Sequence, residues 1–254
     1  MTDTFTTALV AARRRRVRVP VPADVPHSRE GAFAAQMATL DALGLGVAGF
    51  KVGASGRDGL PTAAPLAAGT VAEARTVITT TADQPLWLEA ELAFRVGRDL
   101  PSRDAPYTSE EVLDAMAGLA AAMEIVQPRL LAWPEVPPLA ALADFSANGG
   151  TVVSPVGASA TGLRVEDLTV EFRMGEVAMT VPGTQYPGQD ATRLAVWLAD
   201  NLDLWGEAMR ARGLCAGDVL ITGSWNGVVQ VVPGATARTT IPGIGSVEVE
   251  IAAG

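Results

Sequence analysis

Apolar residues recur at helical spacing early in the chain and at strand spacing later. Residues 4–16 read as a helix, which Pro20, Pro22 and Pro26 break. Ser28 caps a second helix over 29–43, with Phe33, Met37, Leu40 and Leu43 as its apolar positions and Gly44 at its end. Val47–Val52 reads as a strand, with Gly49 and Gly53 on either side of Phe50-Lys51-Val52. Residues 55–69, rich in Gly, Pro and Ala, read as a loop. Leu86–Val96 is the clearest strand. Thr108 with Glu111 predicts a capped helix to about Ala117, and a strand over Leu119–Val126 follows Gly118. A proline-marked loop then leads to a short helix over Leu139–Asp144, ending near Asn148-Gly149-Gly150. Val170–Arg173 and Val177–Val181 form a hairpin. Asp190 caps the longest helix, which runs to Gly213. Strands at 218–222, 228–232 and 246–251 complete the pattern.

Helices gather in the first third and strands dominate the rest. The expected class is α+β, with a mixed, mostly antiparallel β core. The expected organisation is a 1–76 N-terminal α/β region that carries the lysine strand and a β-rich 77–254 region that binds metal, together forming one unit.

Composition narrows the chemistry. The 254 residues contain one lysine (Lys51), one histidine (His27) and one cysteine (Cys215). A disulfide needs two cysteines, and a Cys/His zinc site needs three or four ligands. A Ser-His-Asp triad would depend on His27. Any metal is therefore held mainly by oxygen, which points to a hard ion such as Mg²⁺, Mn²⁺ or Ca²⁺. The net charge of −9 repels phosphate backbones, so nucleic acid is not an expected partner. The basic run Arg13–Arg16 with Arg18 reads as the solvated end of the first helix. No apolar run reaches the ~18 residues of a membrane span. The first arginines follow an apolar stretch, the reverse of a secretory signal, so a cytoplasmic protein is expected.

Two acids sit inside the clearest strand, in Leu88-Glu89-Ala90-Glu91-Leu92. Residues two apart on a strand share a face, about 6.5–7 Å apart. Two like charges there call for a cation between them, or for an edge strand that faces water. Glu124 lies in the otherwise apolar Ala122-Met123-Glu124-Ile125-Val126. Burying it requires coordination or a salt bridge, with Arg129 or Arg75 as candidates.

Lys51 survives in a chain that otherwise uses arginine. A compact ammonium with three rotatable donors suits a functional position. Apolar strands and a neighbouring cation are expected to lower its pKa. Asp58, Gln127, Ser146 and Asn148 are weaker candidates, each also readable as a turn or cap residue. His27 reads as a surface residue and Cys215 as an inert turn residue. Trp225 and Asn226 either shape a pocket or make a hairpin turn at Asn226-Gly227.

Gly49-Phe50-Lys51-Val52-Gly53, Leu88-Glu89-Ala90-Glu91-Leu92-Ala93-Phe94 and Met123-Glu124-Ile125-Val126-Gln127-Pro128-Arg129 resemble successive motifs of the fumarylacetoacetate hydrolase superfamily. Ala34-Ala35-Gln36, Ala216-Gly217-Asp218-Val219-Leu220-Ile221-Thr222-Gly223-Ser224, Pro233-Gly234 and Gly245-Ser246-Val247 fit the same order, over about residues 29–251. Within it, the chain is most similar to the 2-keto-4-pentenoate hydratase / 4-oxalocrotonate decarboxylase branch.

The resemblance implies a β-roll or sandwich with flanking helices, and Mg²⁺ or Mn²⁺ on Glu89, Glu91 and Glu124. It implies Lys51 at the substrate's oxygens or a bound water, and Thr222 and Ser224 at the carboxylate end of the pocket. Gln127 and Ser146 join Lys51 as catalytic candidates; Asn148 and Arg129 join the substrate-binding set. The implied chemistry is a metal-dependent lyase on a small 2-oxo or 2-hydroxydienoic acid, in a homodimer or larger homo-oligomer. Decarboxylation of a 2-oxo diacid, acylpyruvate hydrolysis, oxaloacetate tautomerisation and a non-catalytic metal-stabilised binding role stay open. Three places depart from the hydratase pattern. The loop 59–66 lacks the usual acid, Gln127-Pro128-Arg129 replaces Asp-Ser-Arg, and Ala143-Asp144-Phe145-Ser146-Ala147 replaces Ala-Asp-Asn-Ala-Ser.

Overall fold

In the computed structural model, which describes residues 4–254, the chain opens with helices α1 (Thr4–Arg15) and α2 (Arg29–Leu43). Ser28 Oγ accepts the Gly31 N–H at 3.1 Å to start α2, and Gly44 ends it at φ 67°. Strands β1 (Val47–Gly53), β2 (Thr62–Ala67), β3 (Val71–Glu73), β4 (Arg75–Thr80) and β5 (Trp87–Val96) follow. Helix α3 (Ser109–Ala115), opened by the Thr108–Glu111 capping box, runs straight into β6 (Met116–Val126). After α4 (Pro138–Ala143), a tight turn leads to β7 (Asn148–Val153). The hairpin β8 (Thr169–Met174) and β9 (Val177–Pro182) precedes α5 (Ala191–Asp200) and α6 (Glu207–Arg212). Strands β10 (Val219–Ser224), β11 (Val229–Gln230), β12 (Thr236–Ile241) and β13 (Gly245–Ala253) complete the fold.

The strands form two sheets. The larger has the order β2-β1-β10-β5-β6-β7-β3, with β11 also on β5; the smaller runs β4-β13-β12-β8-β9. Pairs β1–β10, β3–β7 and β4–β13 are parallel, and the others among the described residues are antiparallel. The main core joins Leu88, Leu92 and Phe94 of β5 with Phe172 of β8 and Val247 and Val249 of β13. The opposite face of the large sheet carries a second apolar cluster, including Ala93, Ala120, Ala122, Val153 and Ile221. Burial on both faces explains why β5 and β6 read as nearly continuous apolar runs.

The α+β class and the mostly antiparallel core match expectation. Several elements do not. The 55–69 segment contains β2, where Pro65 is tolerated because β2 lies at the sheet's edge. Strands β3, β4, β7 and β12 are additional. The helix expected over 190–213 is two helices: Asn201 Nδ2 turns back onto the Trp197 carbonyl at 2.7 Å, and Gly206 at φ 93° redirects the chain. Asn226-Gly227 makes no hairpin, because β10 and β11 both pair with β5. As to organisation rather than element type, the large sheet takes strands from both sides of residue 76. Arg14, Arg15 and Arg16 are exposed as expected, but Arg13 turns inward, its guanidinium 4.3 Å from the Phe145 ring centre. Burial, then the nearby Arg129, pulls the Arg13 pKa down to about 9. No helix among the described residues is long and apolar enough to cross a membrane.

Candidate metal centre and cleft

The register of β5 on β6 decides the site. Glu89 pairs directly with Glu124, and Glu91 with Ala122. Alternation puts all three carboxylates on the face opposite the main core. One oxygen from each lies within 4.8 Å of the others. Strand β1 sets Lys51 on the same face: Nζ donates to Glu124 Oε1 at 2.6 Å and to the Ser146 carbonyl at 3.2 Å. Asn148 Nδ2 also donates to Glu124 Oε1, at 2.9 Å. Glu91 Oε2 accepts the Gly223 N–H at 2.6 Å.

Two carboxylate oxygens, Glu91 Oε1 and Glu124 Oε2, are buried without a hydrogen-bond partner. Burying an unpaired charged acceptor is costly. Burial, reinforced by Glu124, pushes the Glu91 carboxyl well above the usual carboxylate range. The same causes raise Glu89, while Lys51 and the Ser224 hydroxyl oppose the shift. Burial pulls Lys51 down, but Glu124, Glu89 and Glu91 together outweigh it and hold the ammonium above its ordinary value. Among the protein's own groups the apolar surroundings do lower Lys51, as expected, and the three carboxylates outweigh them. Unsatisfied, mutually repelling oxygens on rigid strands suit a hard divalent ion.

The group opens into a cleft of about 340 Å³, lined among others by Lys51, Glu89, Glu91, Ser146, Thr222 and Ser224. Thr222 Oγ1 donates to the Leu92 carbonyl at 3.0 Å, so its hydroxyl is tied to β5. Ser224 Oγ lies 3.4 Å from Asn226 Oδ1, which accepts the Ala90 N–H at 2.7 Å. Asn226 therefore knits the end of β10 to β5. Trp225 is buried, stacked 4.7 Å from Tyr186.

Two expected site residues lie elsewhere. Gln127, just past the end of β6, lines a separate cavity with Ile125 and Gln84. The Arg129 guanidinium is engaged by Asp144 and the carbonyls of Gln127 and Asn148, so it is not free to bind a ligand. Asn148 reaches the site through Glu124 rather than from the cleft wall. Asp58 and His27 are exposed. Tyr186, Pro187 and Gly188 escaped the sequence reading. They bound the cleft or support it, and Tyr186 donates its hydroxyl to the Thr222 carbonyl. A Tyr-Pro-Gly run in a chain with two tyrosines was the available signal.

One backbone feature borders the cleft. Phe145, Ser146 and Ala147 have φ of 57°, 47° and 63°. Left-handed backbone costs side-chain-bearing residues about 1–2 kcal/mol each, or about 3–6 kcal/mol for the three.

Three clustered carboxylates that could hold a metal ion, beside a lysine at a cleft, are what this geometry defines. The family model of the fumarylacetoacetate (FAA) hydrolase C-terminal domain matches residues 62–252, and the chain belongs to that family. Two relatives are 2-keto-4-pentenoate hydratase of Paraburkholderia xenovorans and 2-keto-4-pentenoate hydratase 3 of Pseudomonas putida. Each is 31% identical over 164 residues, covering 64% of this chain and 58% of the relative. The chain thus spans less than two thirds of the length of these relatives. Among solved structures, 4-oxalocrotonate decarboxylase from Pseudomonas putida G7, complexed with magnesium and adipate, superposes with a TM-score of 0.78. Its identity is 18%, and the match covers 97% of this chain and 95% of that one. That likeness shows a shared fold.

Proposed function

We propose that this protein is a divalent-cation-dependent lyase of the hydratase type, acting on a small 2-oxo or 2-hydroxydienoic acid. The observation that carries the reading is the pair of buried, unpartnered oxygens, Glu91 Oε1 and Glu124 Oε2, beside Glu89 at the floor of the cleft. Glu89, Glu91 and Glu124 would hold Mg²⁺ or Mn²⁺. Such an ion supplies Lewis acidity toward an acid that chelates through its carboxylate and 2-oxygen. The relatives named as hydratases support the reaction type.

The chain's own residues do the rest. Lys51 has three N–H donors, and Glu124 and the Ser146 carbonyl engage two. The third is available to an oxygen in the cleft. As an ammonium, Lys51 stabilises negative charge developing on that oxygen. Ser224, whose hydroxyl lines the cleft beside Glu89, orients the substrate's carboxylate end. The apolar wall, with Val52, Ala54 and Ala63, excludes water from the tail.

The cleft favours a monoacid. Lys51 is the sole cation among its lining residues and is already paired with Glu124. The second carboxylate of a 2-oxo diacid would find no second cation among those residues. The test follows ultraviolet loss of 2-hydroxypenta-2,4-dienoate and 2-oxohex-3-enedioate with Mg²⁺ and with EDTA. Metal-dependent turnover favouring the monoacid by at least about tenfold is expected. Faster loss of the diacid, with release of CO₂, would establish the decarboxylase reading instead. No metal-dependent change with either would leave a binding role.

A further inference from the structure

The left-handed turn at Phe145–Ala147 is held from outside. Arg129 grips both of its ends. Its backbone N–H and Nε donate to the two Asp144 carboxylate oxygens at 2.8 and 2.6 Å. Its Nη2 donates to the Asp144 carbonyl at 2.9 Å, just before the turn, and Nη1 to the Asn148 carbonyl at 2.7 Å, just after it. Both partners of this ion pair are buried. The Ala147 carbonyl accepts the Gln127 N–H at 2.7 Å, and the Arg13 guanidinium covers the Phe145 ring.

The turn presents two groups to the cleft floor. The Ser146 carbonyl accepts from Lys51 Nζ, and the Asn148 amide donates to Glu124 Oε1. Lys51 and Glu124 are the two members of the 2.6 Å ion pair. A backbone acceptor cannot swing away by changing rotamer, so the turn's conformation fixes where the ammonium sits. Three side-chain-bearing residues in left-handed backbone do not keep that conformation unaided; strain of this kind persists only where its surroundings over-determine it.

We propose that Arg129 and Asp144 are positioning residues: by clamping the left-handed turn, they hold the Ser146 carbonyl and Asn148 amide where these fix Lys51 and Glu124. The ion pair thus acts on the site through the backbone, without touching substrate. This rests on the lyase reading only for its kinetic consequence.

The lone lysine makes the test direct, since ¹⁵N-lysine labelling yields a single side-chain ammonium signal. The wild type, without metal or substrate, should show a sharp, slowly exchanging Lys51 Nζ correlation. Arg129→Lys keeps the charge but cannot grip both ends of the turn, and Asp144→Asn keeps the shape. In each, the Lys51 protons should exchange roughly tenfold faster, the factor for losing one charged hydrogen bond, while most backbone amide shifts stay in place. Ala147→Gly removes the side chain that makes left-handed backbone costly at one of the three positions. Alone it should leave Lys51 exchange no faster than wild type. Combined with Arg129→Lys it should restore folding if that variant alone does not fold, with exchange still faster than wild type. In the lyase assay, the folded Arg129 and Asp144 variants should lower kcat by about tenfold with KM within about twofold, as for a misplaced catalytic group. An ammonium that exchanges fast in the wild type, or unchanged exchange in every folded Arg129 or Asp144 variant, overturns the proposal. Either result is obtained without substrate, so it is separable from failure of the lyase reading.

Discussion

Replacing Lys51 by methionine removes the cation that faces three clustered carboxylates. The stem volume is retained, so packing changes little and charge dominates. Glu124 is fully buried and the Lys51 side chain is 16% exposed, so solvent screens the pair weakly. Breaking a buried pair by deleting one partner costs about 3–5 kcal/mol. For a chain of this size, that lowers Tm by about 6–20 °C. The assay is thermal unfolding by circular dichroism in EDTA at pH 8, repeated at pH 5 and with Mg²⁺. At pH 5 the loss should shrink, because Glu89 and Glu91, already held above the usual range, take up protons and relieve the repulsion. Added Mg²⁺ should raise the variant's Tm more than the wild type's, since a divalent ion replaces the missing positive charge. A Tm in EDTA within about 2 °C of wild type, corresponding to under 1 kcal/mol, would refute the assignment of Lys51 as the counter-charge of the carboxylate group.

Three further outcomes follow from the same structure. Glu91→Gln should abolish the Mg²⁺-dependent rise in Tm yet leave the metal-free protein at least as stable as wild type at pH 8; calorimetric Mg²⁺ titration checks the first and chemical denaturation the second. The raised carboxyls of Glu89 and Glu91 favour the fold below the ordinary carboxylate pKa, and that stability is lost as pH rises through their folded values, so Glu91→Gln should flatten the metal-free profile above about pH 4.5. Gly49→Ala should cost about 4 kcal/mol or more, because φ is 146° and a Cβ would meet the Val219 backbone where β1 pairs with β10; a collapse in urea midpoint shows it. Glu111, drawn down to about 2 chiefly by its hydrogen bond from Arg103, contributes stability above the ordinary carboxylate pKa that is lost as pH falls toward 2; Glu111→Gln should flatten the acid limb of the stability curve.

Much of this site is legible in the sequence. The two-residue spacing of Glu89 and Glu91 in a strong strand, and one acid in the apolar run around Glu124, follow from alternation and the cost of burying charge. The family expected from the ordered motifs is the family the chain belongs to. Gln127, expected in the site, lies just past the end of β6, where the fold and not strand alternation decides which cavity it lines. The same holds for Arg129: its type suits a carboxylate ligand, and only the fold shows Asp144 already occupying it. Strands β2, β7 and β12 are illegible for a local reason. Thr-Ala-Ala-Pro-Leu-Ala and Asn-Gly-Gly-Thr-Val-Val have weak or mixed β propensity, and neighbouring strands supply the pairing that makes them strands; Thr-Ala-Arg-Thr-Thr-Ile is rich in strand formers but has few large apolar residues to mark its buried face. The broken helix after Asp190 shows the converse, a continuous local pattern cut by a side-chain bond to the backbone.

The parallel pairing of β1 with β10 also bears on how the protein is made. Lys51 lies opposite Ile221, separated from it by most of the chain. During synthesis, β1 can pair with β2 early, but its other edge stays open until residues 219–224 leave the ribosome. The strand with Lys51 then inserts beside a strand that in turn pairs with the carboxylate-bearing β5. Such a high contact order predicts slow final folding and a nascent chain with an exposed, apolar strand edge. The cleft is therefore among the last parts to form, and chaperone dependence should track the emergence of β10 rather than that of the carboxylate strands.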